Sequence, residues 1–592
     1  MDNIICNMLF GRKSIREDRI GQVWEMINKG DYKTYNLSFT YENDKDATLK
    51  ELNISIKEDE INLLLGPSGS GKSTLISALM NIIPTHIPGK ISGDFRHGEE
   101  RLSDLELNQM AQKAGFVFQN PDTQFCTYTV ADEVAFGMEN INISRDGMEQ
   151  RINDALKLLN IRDLKHRTLH TLSGGEKQKV AIASILACDP PFLIFDEPTA
   201  NMDTNNAKEF FDLLNVLRKE YHKTILIVEH QLENLWKNVN HVIVLKRDGE
   251  VVYEGEPYDG LKYLIKNDSD ICIPPAMDFC RNLNDKQEDI LEDALQVAEY
   301  LSTKELKEAS MPDKRCQCES KEKAITVDGL SFSDRESGKE ILSDINVEVM
   351  EGEMVSILGH NGAGKTTFVH SLLGIEKKFR GEVSLYGHSI RKLRKRCWDY
   401  ASISFQNPEW QFICNSVEEE ISYSLRKQKQ SEEDVKERTE ELLAQFSLTD
   451  KRELSPFALS EGEKRRLSVA SVLTRKQKIL ILDEPTFGQD EQNQEELMEL
   501  MSSLNQEGMT ILMITHNLEH VYRYSSKILK MDHGKCIFYG TPTKYFDSIK
   551  EGKELSNSKF PFWFRVSEYY KDLTGIDIQL TAKEDVYERF TL

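Results

Sequence analysis

Two stretches of this chain obey the pattern Gly-x-x-x-x-Gly-Lys-Ser/Thr: Gly66-Pro67-Ser68-Gly69-Ser70-Gly71-Lys72-Ser73 and, 293 residues later, Gly359-His360-Asn361-Gly362-Ala363-Gly364-Lys365-Thr366. The pattern is restrictive because its glycines let several backbone N–H groups turn toward one anion, while the helix that follows adds the positive end of its dipole. Such a loop leaves a buried strand and enters a helix, which commits each half to an α/β fold built on a largely parallel sheet. In the first half Ile61–Leu65 reads as that strand and residues 71–80 as that helix.

The duplication extends well past the loops. Phe118-Gln119-Asn120-Pro121 recurs as Phe405-Gln406-Asn407-Pro408, and Leu172-Ser173-Gly174-Gly175-Glu176 as Leu459-Ser460-Glu461-Gly462-Glu463. Phe192-Leu193-Ile194-Phe195-Asp196-Glu197-Pro198-Thr199 recurs as Ile479-Leu480-Ile481-Leu482-Asp483-Glu484-Pro485-Thr486. These three pairs share an offset of 287 residues and His230 to His516 is offset by 286, so the halves are nearly collinear. Residues 192–195 form an uninterrupted apolar run ending in Asp196, as expected of a buried strand that delivers a carboxylate to the carboxyl edge of the sheet.

This order of motifs resembles the ATP-binding cassette (ABC) ATPases, which the Leu-Ser-Gly-Gly-Glu signature separates from other P-loop proteins. The resemblance covers nearly the whole chain. It implies ATP hydrolysis with ATP and Mg²⁺ as cofactors, and two tandem P-loop NTPase domains, each with a mostly parallel sheet, a helical subdomain and a small C-terminal helical subdomain. In each loop the backbone and Lys72 or Lys365 would hold the β and γ phosphates, with Thr74 and Thr367 next in line on the helix. Ser73 and Asp196, and Thr366 and Asp483, would hold Mg²⁺, joined by Gln119 and Gln406. Glu197 and Glu484 would orient the attacking water, and His230 and His516 would reach the γ phosphate. Asp203 and Asp490 match the loop that crosses between paired cassettes. The resemblance further implies head-to-tail packing, in which Ser460 and Gly462 face the ATP held by Lys72, and Ser173 and Gly175 the ATP held by Lys365.

The halves depart from each other at two points. Tyr41 occupies the place of an aromatic that stacks on adenine, whereas Asp334 follows the equivalent Leu330-Ser331-Phe332-Ser333, and a carboxylate cannot stack. Glu461 replaces the first signature glycine and brings a charge that could slow the Lys72 site, although the family tolerates variety there.

At 592 residues the chain is long enough for several cores. We expect an N-terminal extension over 1–30, a first ATPase domain over 31–265 with its C-terminal subdomain over 266–310, a linker over 311–322, and a second domain over 323–550 with its subdomain over 551–592. The helical subdomains fall at 144–167 and 427–445, just upstream of each signature. The two C-terminal segments share a pattern, Ile273-Pro274 and Leu301-Ser302-Thr303-Lys304-Glu305 in one against Phe560-Pro561 and Leu580-Thr581-Ala582-Lys583-Glu584 in the other. A formal charge of −23 argues against nucleic acid as a partner, since such affinity comes from Lys and Arg on phosphates. No stretch reaches the about 18 to 20 consecutive apolar residues of a membrane span, so a pore would be another polypeptide. The first residues lack the layout of a signal peptide and the ten cysteines form no framework, which fits a reducing, cytoplasmic setting. Cys316-Gln317-Cys318 reads as two linker thiols, because no second ligand pair lies near it in the sequence.

Phe118 to Phe125, followed by Val130-Ala131-Asp132-Glu133-Val134-Ala135-Phe136-Gly137-Met138-Glu139-Asn140, is similar to the ATPases of energy-coupling-factor (ECF) transporters, the cobalt and vitamin importers of bacteria and archaea. That resemblance implies a peripheral protein on the cytoplasmic face of the membrane, docked to a transmembrane scaffold (T) protein and a small substrate-binding (S) membrane protein. Gln124, Phe125, Gln411 and Phe412 would line the docking grooves, unless the phenylalanines are core. A soluble ABC-F ATPase acting on the ribosome is the rival, disfavoured by the short linker and the acidic stretch 288–299. The ATPase of a conventional ABC importer keeps the chemistry and changes only the partner.

Overall fold

The computed structural model describes residues 30–307, 322–550 and 560–591, apart from 43, 68, 200, 201, 203, 230, 231, 268–270, 272, 282, 284–289, 335–337, 428–430, 476 and 490. The candidates Ser68, Asp203, His230 and Asp490, the Cys316/Cys318 pair, residues 1–29 and the linker save for Glu322 lie outside the described residues. The chain divides into two compact units between Glu292 and Asp293.

In the first unit the strands β1 (Ile61–Leu65), β2 (Ala114–Val117), β3 (Phe192–Asp196), β4 (Thr224–Val228), β5 (His241–Leu245) and β6 (Val251–Gly255) form one sheet in the order β6-β5-β1-β4-β3-β2. All neighbours are parallel except the β5–β6 hairpin at the edge. β1, β3, β4 and β5 are buried at every position, which is why they read as largely apolar runs; the one polar side chain inside them, Asn62 of β1, donates to the carbonyls of Lys57, Glu60 and Ile225. The second unit repeats this with β7 (Met354–Leu358), β8 (Ala401–Ser404), β9 (Ile479–Asp483), β10 (Thr510–Ile514), β11 (Lys527–Asp532) and β12 (Lys535–Gly540), in the order β12-β11-β7-β10-β9-β8. In each unit, therefore, the P-loop strand and the strand ending in aspartate flank one common strand. Their carboxyl ends lie side by side at the edge where ligands of open α/β sheets sit.

A second, antiparallel sheet accompanies each, centred on Tyr32–Tyr41 in the first unit and on Lys323–Ser333 in the second. The helical subdomain of the first unit packs Val130–Asn140 and Arg145–Leu158 on the signature helix Gly174–Cys188; in the second, Val417–Lys427 packs on both Glu432–Gln445 and the signature helix Glu461–Val472. Met138, Ile152, Leu156 and Ile182 form that core in the first unit, and Ile421, Leu442, Phe446 and Leu467 in the second.

The C-terminal elements are arranged differently from the expected division at 310. Helix Pro275–Cys280 belongs to the first unit, but Ala294–Ser302 packs against Phe562–Thr574, and Glu305–Leu306 pairs antiparallel with Phe590–Thr591. The expected matching of Leu301 with Leu580 also shifts: Leu301 lies within a helix, whereas Leu580 precedes the helix Lys583–Arg589. Buried Leu291, just ahead of Ala294–Ser302, is the counterpart of buried Leu580.

Candidate functional site

Both P-loops depend on glycines whose left-handed backbone disfavours a side chain. Gly69 and Gly71 have φ of 79° and 89°, and Gly362 and Gly364 82° and 95°, in the region costly for residues with a Cβ. Lys72 Nζ donates to the carbonyls of Gly66 (2.7 Å) and Pro67 (3.0 Å), and Lys365 Nζ to those of Gly359 (2.7 Å) and His360 (3.3 Å). Each ammonium is thus folded over its own loop. Burial pushes Lys365 below the usual lysine range, with Glu484 and Asp483 pulling the other way. Ser70, only 1 % exposed, keeps a buried Oγ with no hydrogen-bond partner among the described residues, and Ala363 stands in its place in the second loop. A buried hydroxyl in that state calls for an acceptor or donor from a ligand, and a phosphate oxygen fits.

The hydroxyl and carboxylate expected at the metal face each other in both units. Ser73 Oγ donates to Asp196 Oδ2 at 3.3 Å, and Thr366 Oγ1 to Asp483 Oδ2 at 3.4 Å. Burial first, then the adjacent Glu484, pushes the Asp483 carboxyl up to about 6. Crowded hard oxygens of this kind suit Mg²⁺, which also keeps waters and phosphate oxygens in its shell. The amide nitrogens of Gln119 and Gln406 donate to Glu197 Oε2 (2.6 Å) and Glu484 Oε2 (3.0 Å), so the amide oxygen is the atom each could offer a cation.

Glu197 and Glu484 both adopt left-handed backbone, φ 46° and 47°, with their N–H groups still bonded to Val228 and Ile514 across the sheet. Such strain in a non-glycine residue costs of order 1 kcal/mol or more and is kept where a fixed orientation matters. Here it turns each glutamate out of the strand line immediately after its aspartate. His516 Nε2 completes the second cluster, 3.1 Å from Glu484 Oε1 and 3.4 Å from Lys365 Nζ.

The signature motifs are helix N-termini. Ser173 and Ser460 cap Gly174–Cys188 and Glu461–Val472 in capping boxes, each serine N–H donating to Glu176 or Glu463 three residues on and each glutamate N–H returning to the serine Oγ. Gly462 is tight, since a Cβ there would lie 2.3 Å from Asn493 Oδ1. The Glu461 carboxylate accepts from Lys464 Nζ at 2.9 Å, which also reaches Glu409 at 2.6 Å, so its charge is partnered within its own half. Tyr41 shares a 2.9 Å hydroxyl contact with Thr74 and sets its ring edge-on to Phe39. Asp334 instead uses its backbone N–H to bond Lys339.

Two residues escaped the sequence reading. Buried Glu229 accepts from Thr199 Oγ1 at 2.6 Å, and only its place before His230 marked it. Buried Arg465 donates to the carbonyls of Phe405 (2.7 Å) and Gln406 (2.6 Å), where Gln178 makes one 3.4 Å bond to Phe118; burial pushes the guanidinium down to about 10. Among the expected groove residues, Phe412 is core, 6 % exposed and edge-on to Phe457, and Phe125 packs partly buried on its own core. Gln124 and Gln411 turn inward to accept from the N–H groups of Phe118 and Phe405. The apolar side chains that face outward there are Tyr128, Trp410 and Ile413, exposed by 83 %, 80 % and 64 %.

An ABC transporter family model matches residues 49–200 and 342–487. The "Putative HMP/thiamine import ATP-binding protein YkoD" of Bacillus subtilis is 36 % identical over 526 residues, 86 % of this chain and 91 % of that protein. A Methanosarcina mazei protein under the same kind of provisional name, ABC transporter ATP-binding protein, is 34 % identical over 87 % of this chain and 90 % of its own. Among solved structures, cbiO1 from Clostridium perfringens, titled part of the ABC transporter complex cbiONQ, aligns with 39 % of this chain and 93 % of its own at 30 % identity and a TM-score of 0.37.

Proposed function

Because the chain belongs to the ATP-binding proteins of ABC transporters and hydrolyses ATP, we propose that it is the energy-coupling ATPase of an ECF-type importer for a vitamin or a transition-metal ion. No described helix is long and apolar enough to cross a membrane. The proposal therefore assigns translocation to a separate scaffold protein, substrate capture to a small membrane protein, and to this chain a peripheral place on the cytoplasmic face. The observation that carries it is the outward-facing aromatic and aliphatic surface within ten residues of each Gln motif, Tyr128 in one half and Trp410 with Ile413 in the other. Large apolar side chains left in water just after the Gln motif of each half suit apolar partner helices, and they stand at different repeat positions, Tyr128 aligning with Asn415 and Trp410 and Ile413 with Thr123 and Cys126. The vitamin reading is supported by the HMP/thiamine import name of the Bacillus subtilis relative.

In this proposal Lys72 and Lys365 hold the β and γ phosphates, and Ser73 with Asp196 and Thr366 with Asp483 hold Mg²⁺. Glu197 and Glu484 orient and deprotonate the attacking water, held in line by Gln119 and Gln406, while His516, and His230 in the first half, steady the γ phosphate. Mg²⁺ supplies neutralisation of the charge that gathers on the transferred phosphoryl group. The signature serines and Gly175 and Gly462 present helix N-termini to the phosphates of the opposite half, and closure on ATP drives the docked partner.

The test is isolation of the tagged chain from gently solubilised membranes followed by mass spectrometry. Recovery of a polytopic scaffold with a small membrane protein supports the proposal. Ribosomal proteins without a membrane partner refute it, and a substrate-binding protein with a conventional permease pair refutes the ECF assignment while leaving an importer.

A further inference from the structure

The turn between β11 and β12 is stitched to the second P-loop. Gly534 N–H donates to the carbonyl of Ala363 at 3.1 Å, and a Cβ on Gly359 would lie 2.7 Å from the Met531 carbonyl oxygen. His533 and Gly534 take φ of 43° and 77° between the paired residues Asp532 and Lys535, a two-residue turn with both central residues left-handed. This backbone brings the adjacent pair Asp532 and His533 against His360, 172 residues away in sequence. Ligating atoms of His360, Asp532 and His533 all lie within 4.8 Å of one another. His360 Nε2 is 2.9 Å from Asp532 Oδ1, His533 Nε2 is 3.9 Å from the same oxygen, and the two imidazole rings are 5.1 Å apart.

The hydrogen bonding of His360 fixes which of its atoms is available. Its Nδ1 lies 2.7 Å from the carbonyl oxygen of Asn361, which can only accept, so Nδ1 carries a proton and donates. In the neutral ring Nε2 then presents a lone pair to a carboxylate oxygen at hydrogen-bond distance. Two acceptors in that position require a proton or a cation between them. A backbone carbonyl on the far nitrogen is also the arrangement that orients metal-binding histidines. Two imidazoles and one carboxylate, open to water, form a donor set for borderline divalent cations such as Zn²⁺, Ni²⁺ or Co²⁺; Mg²⁺ prefers oxygen alone. The first half lacks the set: Pro67 stands at the place of His360, and the corresponding turn reads Lys246-Arg247-Asp248-Gly249, where Lys246 pairs with Asp248 and Glu250.

We propose that His360, Asp532 and His533 bind one divalent transition-metal cation, with water completing its shell, and that the bound ion clamps the β11–β12 turn to the second P-loop. The site is separate from the Thr366/Asp483 pair assigned to Mg²⁺.

The experiment titrates Co²⁺ into the untagged, nucleotide-free full chain in excess Mg²⁺, follows the visible d–d absorption, and then adds Zn²⁺. His533→Asn and His360→Ala are compared with the parent; the asparagine suits the left-handed turn position, so the fold is kept, as an unchanged thermal midpoint without metal would confirm. The expected result is a visible band saturating at one equivalent, displaced by one equivalent of Zn²⁺, and weakened on the order of tenfold or more in either variant. A missing band, a band that survives in both variants, or a near-ultraviolet thiolate-to-cobalt transition that places the ion on cysteines would each overturn the proposal.

Discussion

Replacing Gly462 by alanine separates two roles that one glycine could fill. The new Cβ would meet Asn493 Oδ1 at 2.3 Å, and since Cβ contacts below 3.0 Å do not occur, either the asparagine or the signature helix must move by about 0.7 Å. Overpacking of this kind costs about 1 to 3 kcal/mol. Alanine returns up to about 1 kcal/mol of helix propensity over glycine. The net loss is therefore roughly 0 to 2 kcal/mol, a drop of a few °C in the unfolding midpoint of a domain of this size. Adding Asn493→Ala removes the obstructing amide, so Gly462→Ala/Asn493→Ala should recover that loss. Hydrolysis should not recover with it, because the proposed function needs a close backbone approach at Gly462. Differential scanning fluorimetry and steady-state ATPase measurements on the two singles and the double decide the matter. Full ATPase activity in the double variant would show that Gly462 is there only to make room for Asn493, and would refute its assignment to nucleotide.

Two further outcomes follow, one from the site and one from a buried group at the opposite, amino end of the same sheet. Glu197→Gln and Glu484→Gln should each keep nucleotide binding while lowering hydrolysis at their own site about 10²- to 10⁴-fold, the range of a positioned general base; equilibrium binding and single-turnover hydrolysis check this, and undiminished turnover in the double variant would exclude both. Burial, and then Lys57, pushes His241 down to about 4, so the folded chain holds it neutral where the unfolded chain takes up a proton. Its contribution to stability is present above about pH 6.5 and is lost as pH falls toward 4, at up to about 1.4 kcal/mol per unit, and His241→Gln should flatten that part of a pH series of urea midpoints.

The strands and loops that hold the candidate site were legible because burial on both faces leaves largely apolar runs. Ile61–Leu65 matches its strand end for end, and the run ending at Asp196 ends its strand at the carboxylate. Inside and outside could not be read in the segments after the Gln motifs. Pro408–Gln411 is a single 3₁₀ turn, too short for a period, so nothing in the sequence tells buried Phe412 from exposed Trp410. The partnership of Ala294–Ser302 with Phe562–Thr574 was illegible for another reason: an amphipathic helix announces an apolar face but not what covers it. His360 and Asp532 meet across 172 residues through a hairpin turn pinned by backbone bonds, and backbone pinning leaves no trace in side-chain pattern.

The halves agree where the proposed chemistry is done and differ around it. The hydroxyl–aspartate distances are 3.3 and 3.4 Å and the Gln–Glu distances 2.6 and 3.0 Å, so these groups, to which hydrolysis is proposed, keep the same pairings in both halves. The unlike pairs include Tyr41 against Asp334, Ser70 against Ala363, Gly174 against Glu461, Gln178 against Arg465 and Pro67 against His360, all of which lie in or beside the motifs proposed to seat the nucleotide. The two sites should therefore differ more in affinity than in turnover. If Tyr41 stacks on adenine, its contribution of about 1 to 3 kcal/mol makes the Lys365 half the weaker binder by roughly 5- to 150-fold. Lys72→Ala leaves that half as the remaining ATP site and Lys365→Ala leaves the other, so fluorescent-nucleotide titration of the two variants measures the ratio. Equal affinities would show that the base is held by something other than Tyr41, and Tyr41→Ala in the Lys365→Ala background would then change nothing.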